Sequence, residues 1–178
     1  MKYIIPIIVI LSIVIGLRFQ SNEDGEIENI LNGYKQENKT QSLKIQEVKE
    51  QQKLASMTGW ERFTSEALRL AKQHGFAPQV PIAQCALESH KGTSSFALNR
   101  NNFCGLGAFD SNPDNAMRFE SPEECAQYWV LLISKRYKQA WNNRTDPLKM
   151  LSYIKDGGYA SDPNYVSKVL LMPEFYSY

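Results

Sequence analysis

The sequence predicts a mainly α-helical protein in which a small β-hairpin lobe interrupts a helical domain. Two observations predict the helices: capping residues recur along residues 58–178, and the apolar residues between them follow the helical period. A third observation predicts the hairpin, because residues 101–119 hold three glycine or proline residues and show no helical period. We therefore expect one globular domain over residues 58–178.

An apolar run from Tyr3 to Leu17, flanked by Lys2 and Arg18, comes first in the chain. It is shorter than the ~20 residues that span a bilayer comfortably, and its length also suits the core of a secretory signal. No small-residue cleavage site follows it, and no cysteine follows to take a lipid. We interpret residues 1–18 as an uncleaved transmembrane anchor, with a cleaved signal as the alternative. The N-terminal charge favours a cytoplasmic N-terminus, which would make the remaining chain extracytoplasmic.

Residues 19–57 are rich in Gln, Glu, Lys and Asn and carry a net charge of −2. A short amphipathic stripe is present, but heptads do not continue long enough to predict a coiled coil. We expect a polar, partly helical stalk. The stripe consists of Ile27, Ile30, Leu31 and Tyr34.

Helix starts are recognisable in the domain from N-cap residues and from prolines in first turns. The first predicted helix ends at Gly75, which suits a left-handed C-terminal turn. The second is apolar and ends near Ser89, and later helices end near Arg136 and at the pair Gly157-Gly158. The predicted starts are Thr58, Pro78, Ser94, Ser121, Asp146 and Asp162.

Charge and cysteine usage exclude several functions. The net charge is +1 and no segment has the basic excess of a nucleic-acid binder. Cys85, Cys104 and Cys125 lack the spacing of metal ligands, so neither a metal nor another cofactor is expected. One disulfide with a free thiol, and three buried thiols, both fit the sequence.

Glu88 lies at the end of the apolar second helix. Such a carboxylate either faces solvent or lies at the edge of a cleft. Partial burial would raise its pKa and keep it protonated, as a glycosidase acid must be.

Three motifs give Glu88 a context: ESHKGTS at 88–94, NNFCGLG at 101–107 and GYASDPNY at 158–165. In this order and spacing, residues 60–172 resemble the glucosaminidase domain of glycoside hydrolase family 73. The run GAFDSNP at 107–113 resembles the hairpin of the staphylococcal-type autolysin subgroup. The resemblance implies a lysozyme-like helical fold and cleavage of peptidoglycan glycan strands.

The resemblance also implies roles for single residues. Glu88 would be the general acid, and Tyr159 would lie across the cleft and position substrate or stabilise charge. The candidate sugar contacts are Asn102, Phe103, Phe109 and Tyr165.

The chain departs from the family pattern at three positions. His90 and Lys91 replace the usual Gly-Trp, so the packing after Glu88 must differ, and Cys104 replaces a common phenylalanine. No second carboxylate is obvious, and the 2-acetamido group of the substrate is the alternative nucleophile. The candidates for a second carboxylate are Asp110, Asp114 and Glu120.

The predicted function is that of an endo-β-N-acetylglucosaminidase, with an N-acetylmuramidase or a lytic transglycosylase as alternatives. A non-catalytic wall-binding module is the alternative of a different class. The expected partners are peptidoglycan strands and a membrane, either that of a cell or that of a virion, with virion proteins added if the protein is viral. A phage lysis or entry enzyme and a bacterial wall-remodelling enzyme fit this organisation equally.

Overall fold

The computed structural model describes residues 23–107 and 115–178. Internal contacts divide the chain into two units, with the boundary between Lys53 and Leu54. In the described part of the chain, no helix combines the length and apolar character needed to cross a bilayer. The predicted anchor, residues 1–18, lies outside the described residues.

The polar segment forms one continuous helix, α1, from Glu23 to Ser56. It is more helical than the partly helical stalk that the sequence predicts. The physical reason is its composition, because Glu, Lys and Gln favour helix and its sequence holds no proline and only two glycines, Gly25 and Gly33. Several of its apolar side chains are more than half exposed, namely Ile30, Tyr34, Leu43, Ile45 and Val48.

The remaining helices belong to the second unit, and the prediction of a mainly helical fold is confirmed. The sequence does not predict α6 or a final 3-10 turn, Pro173–Tyr176. The helices are α2 Gly59–His74, α3 Gln79–Ser89, α4 Ser95–Arg100, α5 Pro122–Arg136, α6 Lys138–Asn142, α7 Pro147–Asp156 and α8 Tyr165–Leu170.

The helix starts follow the predicted capping chemistry. The Thr58 hydroxyl accepts from the Glu61 amide, and the Glu61 carboxylate accepts from the Thr58 amide, which completes a capping box. Side chains of Ser94, Ser121 and Asp146 cap α4, α5 and α7 in the same way. Local sequence therefore fixes where these helices begin.

Helix α3 is the central element of the domain. It packs against α2, α7, α8 and the 3-10 turn, and its residues from Val80 to Ala86 are completely or almost completely buried. A helix that is apolar on nearly every side must be enclosed by others. Because α3 is enclosed, the residue at its last turn, Glu88, is held in a fixed position.

The predicted β-hairpin lobe is not supported, because the described residues of the 101–119 segment form no strand. Two backbone hydrogen bonds do join its flanks, from Met117 to Leu106 and from Phe119 to Arg100. Side chains also bond backbone carbonyls here: Asn102 donates to the carbonyls of Leu106 and Met117, and Arg100 donates to that of Ala116. Residues 108–114 lie outside the described part.

The turn after α3 has an unusual backbone. His90, Lys91 and Gly92 all have positive φ, at 50°, 55° and 80°. The lysine, which stands where the family has tryptophan, reaches the 3-10 turn, where its Nζ lies 2.6 Å from Glu174 Oε1. This ion pair is the different packing that the sequence departure implied.

We expect His90→Gly to stabilise the domain by about 1 kcal/mol, because a Cβ is unfavourable in the left-handed region. Chemical denaturation measures this free energy of unfolding. His90→Ala is the matched control, since alanine retains the Cβ and should give no such gain. An equal gain from alanine would mean that the imidazole, and not the backbone, is unfavourable.

Candidate active site

The side chain of Glu88 lies in a partly buried position between a tyrosine and a glycine. The Tyr165 hydroxyl donates to Glu88 Oε1 at 2.9 Å. On the other side, a Cβ built on Gly105 would lie 3.2 Å from Glu88 Oε2. The two carboxyl oxygens therefore have different environments, one hydrogen-bonded and one beside a residue that has no side chain.

This environment changes the acidity of Glu88. Burial raises the pKa of its carboxyl above the ordinary glutamate value, and the hydrogen bond from Tyr165 partly opposes the rise. The protonated form therefore persists to higher pH than it would on a solvated glutamate. A carboxyl with a raised pKa is better suited to donate a proton than a solvated glutamate is.

A disulfide joins the helix of Glu88 to the loop that faces its carboxyl. Cys85, one turn before Glu88, is bonded to Cys104, which precedes Gly105. The sequence allowed either one disulfide with a free thiol or three buried thiols. The structure has one disulfide and one free thiol. The thiol of Cys125 is buried and its sulfur lies 4.0 Å from that of Cys104.

Tyr159 contacts the same loop. Its hydroxyl donates to the Cys104 carbonyl at 3.0 Å, and its ring centre lies 6.0 Å from that of Tyr165. Burial raises the pKa of Tyr159, and the nearby Glu88 charge raises it further. Tyr159 and Glu88 are therefore neighbours, but the tyrosine hydroxyl is engaged with the backbone of the loop.

Tyr165, predicted as a sugar contact, is 4% exposed. Its hydroxyl is the hydrogen-bond partner of Glu88, and burial raises its pKa well above the usual range. Burial therefore favours the neutral hydroxyl, which is the form that donates this hydrogen bond. Sequence reasoning placed it in the site but gave it a different role.

Asn102 and Phe103 do not have the exposure that direct sugar contacts require, being 1% and 2% exposed. The Asn102 amide bonds to Leu106 N, Leu106 O and Met117 O, so it fixes the loop from within. The Phe103 ring stacks on Phe63 in the core, with ring centres 5.4 Å apart. The structure thus corrects both predictions: these residues support the loop from beneath.

The possible second carboxylates are not found next to Glu88. Glu120 is exposed at the start of α5, where its backbone amide donates to Glu124. Asp110, Asp114 and the predicted sugar contact Phe109 lie outside the described residues. Among the described residues, no other carboxylate contributes to the pKa shift of Glu88.

A groove of about 500 Å³ lies beside the turn that follows Glu88. Neither Glu88 nor the two tyrosines line it. Its lining residues are Thr58, Gly59, Trp60, Lys91, Gly92, Thr93, Ala97, Leu98, Asn101 and Phe103.

A helical domain with a partly buried glutamic acid at the end of its central helix has the features of a lysozyme-like glycoside hydrolase. The model of the glucosaminidase family, described as mannosyl-glycoprotein endo-beta-N-acetylglucosaminidase, matches residues 64–177. The chain belongs to this family, and the resemblance identified from the sequence motifs is confirmed.

One solved structure shares the fold, and a second gives a weaker match. The catalytic domain of the autolysin Auto from Listeria monocytogenes is 22% identical, with a TM-score of 0.50 over 71% of this chain and 91% of that one. A type VI secretion system effector–immunity complex from Pseudomonas protegens gives 17% identity and a TM-score of 0.47, over 63% and 86% of the two chains. The chain has no significant match among curated proteins.

Proposed function

We propose that this protein cuts the glycan strands of bacterial peptidoglycan as an endo-β-N-acetylglucosaminidase, with Glu88 as the general acid. The observation that carries the proposal is the carboxyl of Glu88, whose burial favours the protonated form. Membership of the glucosaminidase family supports the substrate sugar. The autolysin Auto, which shares the fold, supports a cell-wall role for this fold.

In the proposed mechanism, Glu88 transfers its proton to the oxygen of the scissile glycosidic bond as that bond breaks. Tyr165 occupies Oε1 as a hydrogen-bond donor, so the proton for transfer resides on Oε2, next to Gly105. Positive charge develops at the anomeric carbon, and the 2-acetamido group of the sugar stabilises it as an internal nucleophile. Water then completes hydrolysis, with Glu88 as the base.

In this mechanism Tyr159 positions the loop that faces Glu88. Its hydroxyl holds the Cys104 carbonyl, which keeps the loop of residues 102–106 next to the acid.

The disulfide supports an extracytoplasmic location for the domain, because disulfides persist mainly in oxidising compartments. We propose that residues 1–18 anchor the protein in a membrane and that the helical segment Glu23–Ser56 lies between anchor and enzyme. Such a protein serves either phage lysis or entry, or bacterial wall remodelling.

Mass spectrometry of peptidoglycan digested by the full-length protein tests the bond that is cut. After borohydride reduction, a glucosaminidase leaves reduced N-acetylglucosamine at the new ends. Reduced N-acetylmuramic acid would instead identify a muramidase, and an anhydro end would identify a transglycosylase. Intact strands would contradict the proposal. They would favour the alternative function, a non-catalytic module that binds the cell wall.

Gly105→Ala should lower activity at least tenfold, because the new Cβ would crowd Glu88 Oε2 and the backbone φ is +63°. Turnover of purified peptidoglycan is the measurement. Gly75→Ala is the matched control, since its φ is +67° but no atom lies within 4 Å of its added Cβ. Both variants bear backbone strain, so an equal loss in both would mean that crowding of the acid is not the cause.

A further inference from the structure

Helix α1 carries apolar side chains on its surface. Leu31, Tyr34, Ile45 and Val48 are each half exposed or more. A helix in water gains most of its stability by packing an amphipathic face, and less of it from the propensity of its residues. A 34-residue helix with these side chains on its surface therefore has the features of one half of an interface.

The spacing of these side chains is that of a heptad repeat. Alternating steps of three and four residues keep positions 31 to 52 on one face of the helix, which is the pattern of coiled coils. The sequence alone shows only a short stripe, because Asn38 and Gln41 interrupt the apolar residues. The structure has one continuous helix across this point, so Ile45 and Val48 return to the same face. We call this face the seam, and it consists of Leu31, Tyr34, Asn38, Gln41, Ile45, Val48 and Gln52.

The middle of the seam is polar, and this restricts what can cover it. Lipid or an apolar groove would leave the amides of Asn38 and Gln41 without hydrogen-bond partners, which costs free energy. A carboxamide both donates and accepts, so Asn38 can bond to the same residue of a second copy when two helices run parallel and in register. Asn38 has the a position of its heptad, between Leu31 and Ile45, and asparagine at an a position specifies register and oligomeric state in coiled coils.

We propose that α1 pairs through the seam with α1 of a second copy, as a parallel, in-register, two-stranded coiled coil. The proposed anchor at residues 1–18 favours the same arrangement, because two chains held in one membrane by their N-termini present their helices in parallel. A dimer carries two glucosaminidase domains, so binding of one to a glycan strand raises the effective concentration of the other. That consequence rests on the proposed function, whereas the pairing itself does not.

Charges beside the seam make this pairing dependent on salt. Lys44 and Lys49 have g and e positions, which face each other across a parallel pair. Like charges repel there, and salt screens the repulsion because the Debye length falls from about 10 Å at 0.1 M to about 3 Å at 1 M. The Kd of the dimer should therefore fall several-fold over this range. Lys44→Glu should reverse the dependence, since it places a carboxylate opposite Lys49.

Sedimentation equilibrium of the full-length protein in density-matched detergent measures the pairing. Ile45→Glu should raise the Kd by about tenfold or more, because it places a charge in the seam, while glutamate remains a good helix former. Leu43→Glu is the matched control: Leu43 is 51% exposed and Ile45 is 52% exposed, but Leu43 projects from the opposite face. Its Kd should equal that of the wild type. A monomeric wild type, a dimer unaffected by Ile45→Glu, or an equal loss in Leu43→Glu would overturn the proposal.

Cysteine crosslinking tests the parallel register. In a parallel pair, the thiols of Tyr34→Cys and of Val48→Cys each meet the same position of the second copy, so each variant alone should form a covalent dimer with diamide as the oxidant. The wild type should form none, because its free thiol, Cys125, is buried. Glu47→Cys is the control outside the seam and should crosslink far less. Crosslinks that form only when the two seam variants are mixed would show antiparallel helices and overturn the proposed arrangement.

Discussion

Glu88→Gln should reduce peptidoglycan turnover by about 10²–10⁴-fold, the contribution that a positioned general acid makes. The amide has the same shape and still accepts the hydrogen bond that Tyr165 donates to Oε1. It cannot release a proton to a leaving oxygen. Release of soluble muropeptides from purified peptidoglycan, followed across pH, measures the loss.

Glu120→Gln is the matched control, because Glu120 is an exposed carboxylate in the same domain. Its activity should stay near that of the wild type. Folding can be checked separately: burial raises the pKa of Glu88, so the charged form destabilises the folded state once the pH exceeds the unfolded pKa. Glu88→Gln should therefore be more stable than wild type at neutral pH. Activity within tenfold of wild type would remove Glu88 from the mechanism.

Reducing the Cys85–Cys104 disulfide should lower the free energy of unfolding by about 3 kcal/mol, as expected for a closed loop of this length. Activity should fall as well, because the bond ties the helix of Glu88 to the loop that carries Gly105. Urea denaturation with and without a reductant measures the first effect, and peptidoglycan turnover measures the second.

The double variant Cys85→Ala with Cys104→Ala should resemble the reduced protein and should not respond to reductant. Cys125→Ala is the control, because it removes the free thiol and leaves the disulfide in place. It should respond to reductant as the wild type does. If reduction changes neither stability nor activity, the disulfide does not hold the site together.

Capping residues and helical periodicity in the sequence were sufficient to predict most of the fold. Each capping side chain bonds a backbone amide three residues further along the chain, so a local sequence pattern is enough to locate the start of its helix. These capping residues are Thr58, Ser94, Ser121 and Asp146. The hairpin prediction is not supported by the described residues, and it rested only on the lack of a helical period. The side chains of Arg100 and Asn102 bond backbone carbonyls there.

The site was only partly predictable, because its contacts join residues that are distant in sequence. The motifs located Glu88, and they also placed Tyr159 and Tyr165 near it. They did not show which tyrosine hydroxyl bonds to the acid and which bonds to the loop, since that depends on how α8 packs against α3.

The Cys125 thiol beside the disulfide has a consequence for heating and refolding. In the folded domain, burial raises the pKa of this thiol to about 12, so almost no thiolate is present to attack Cys104. An unfolded chain restores an ordinary thiol pKa of about 8.5, and exchange can then scramble the three cysteines. Heat inactivation should therefore become irreversible at alkaline pH while remaining reversible in mild acid.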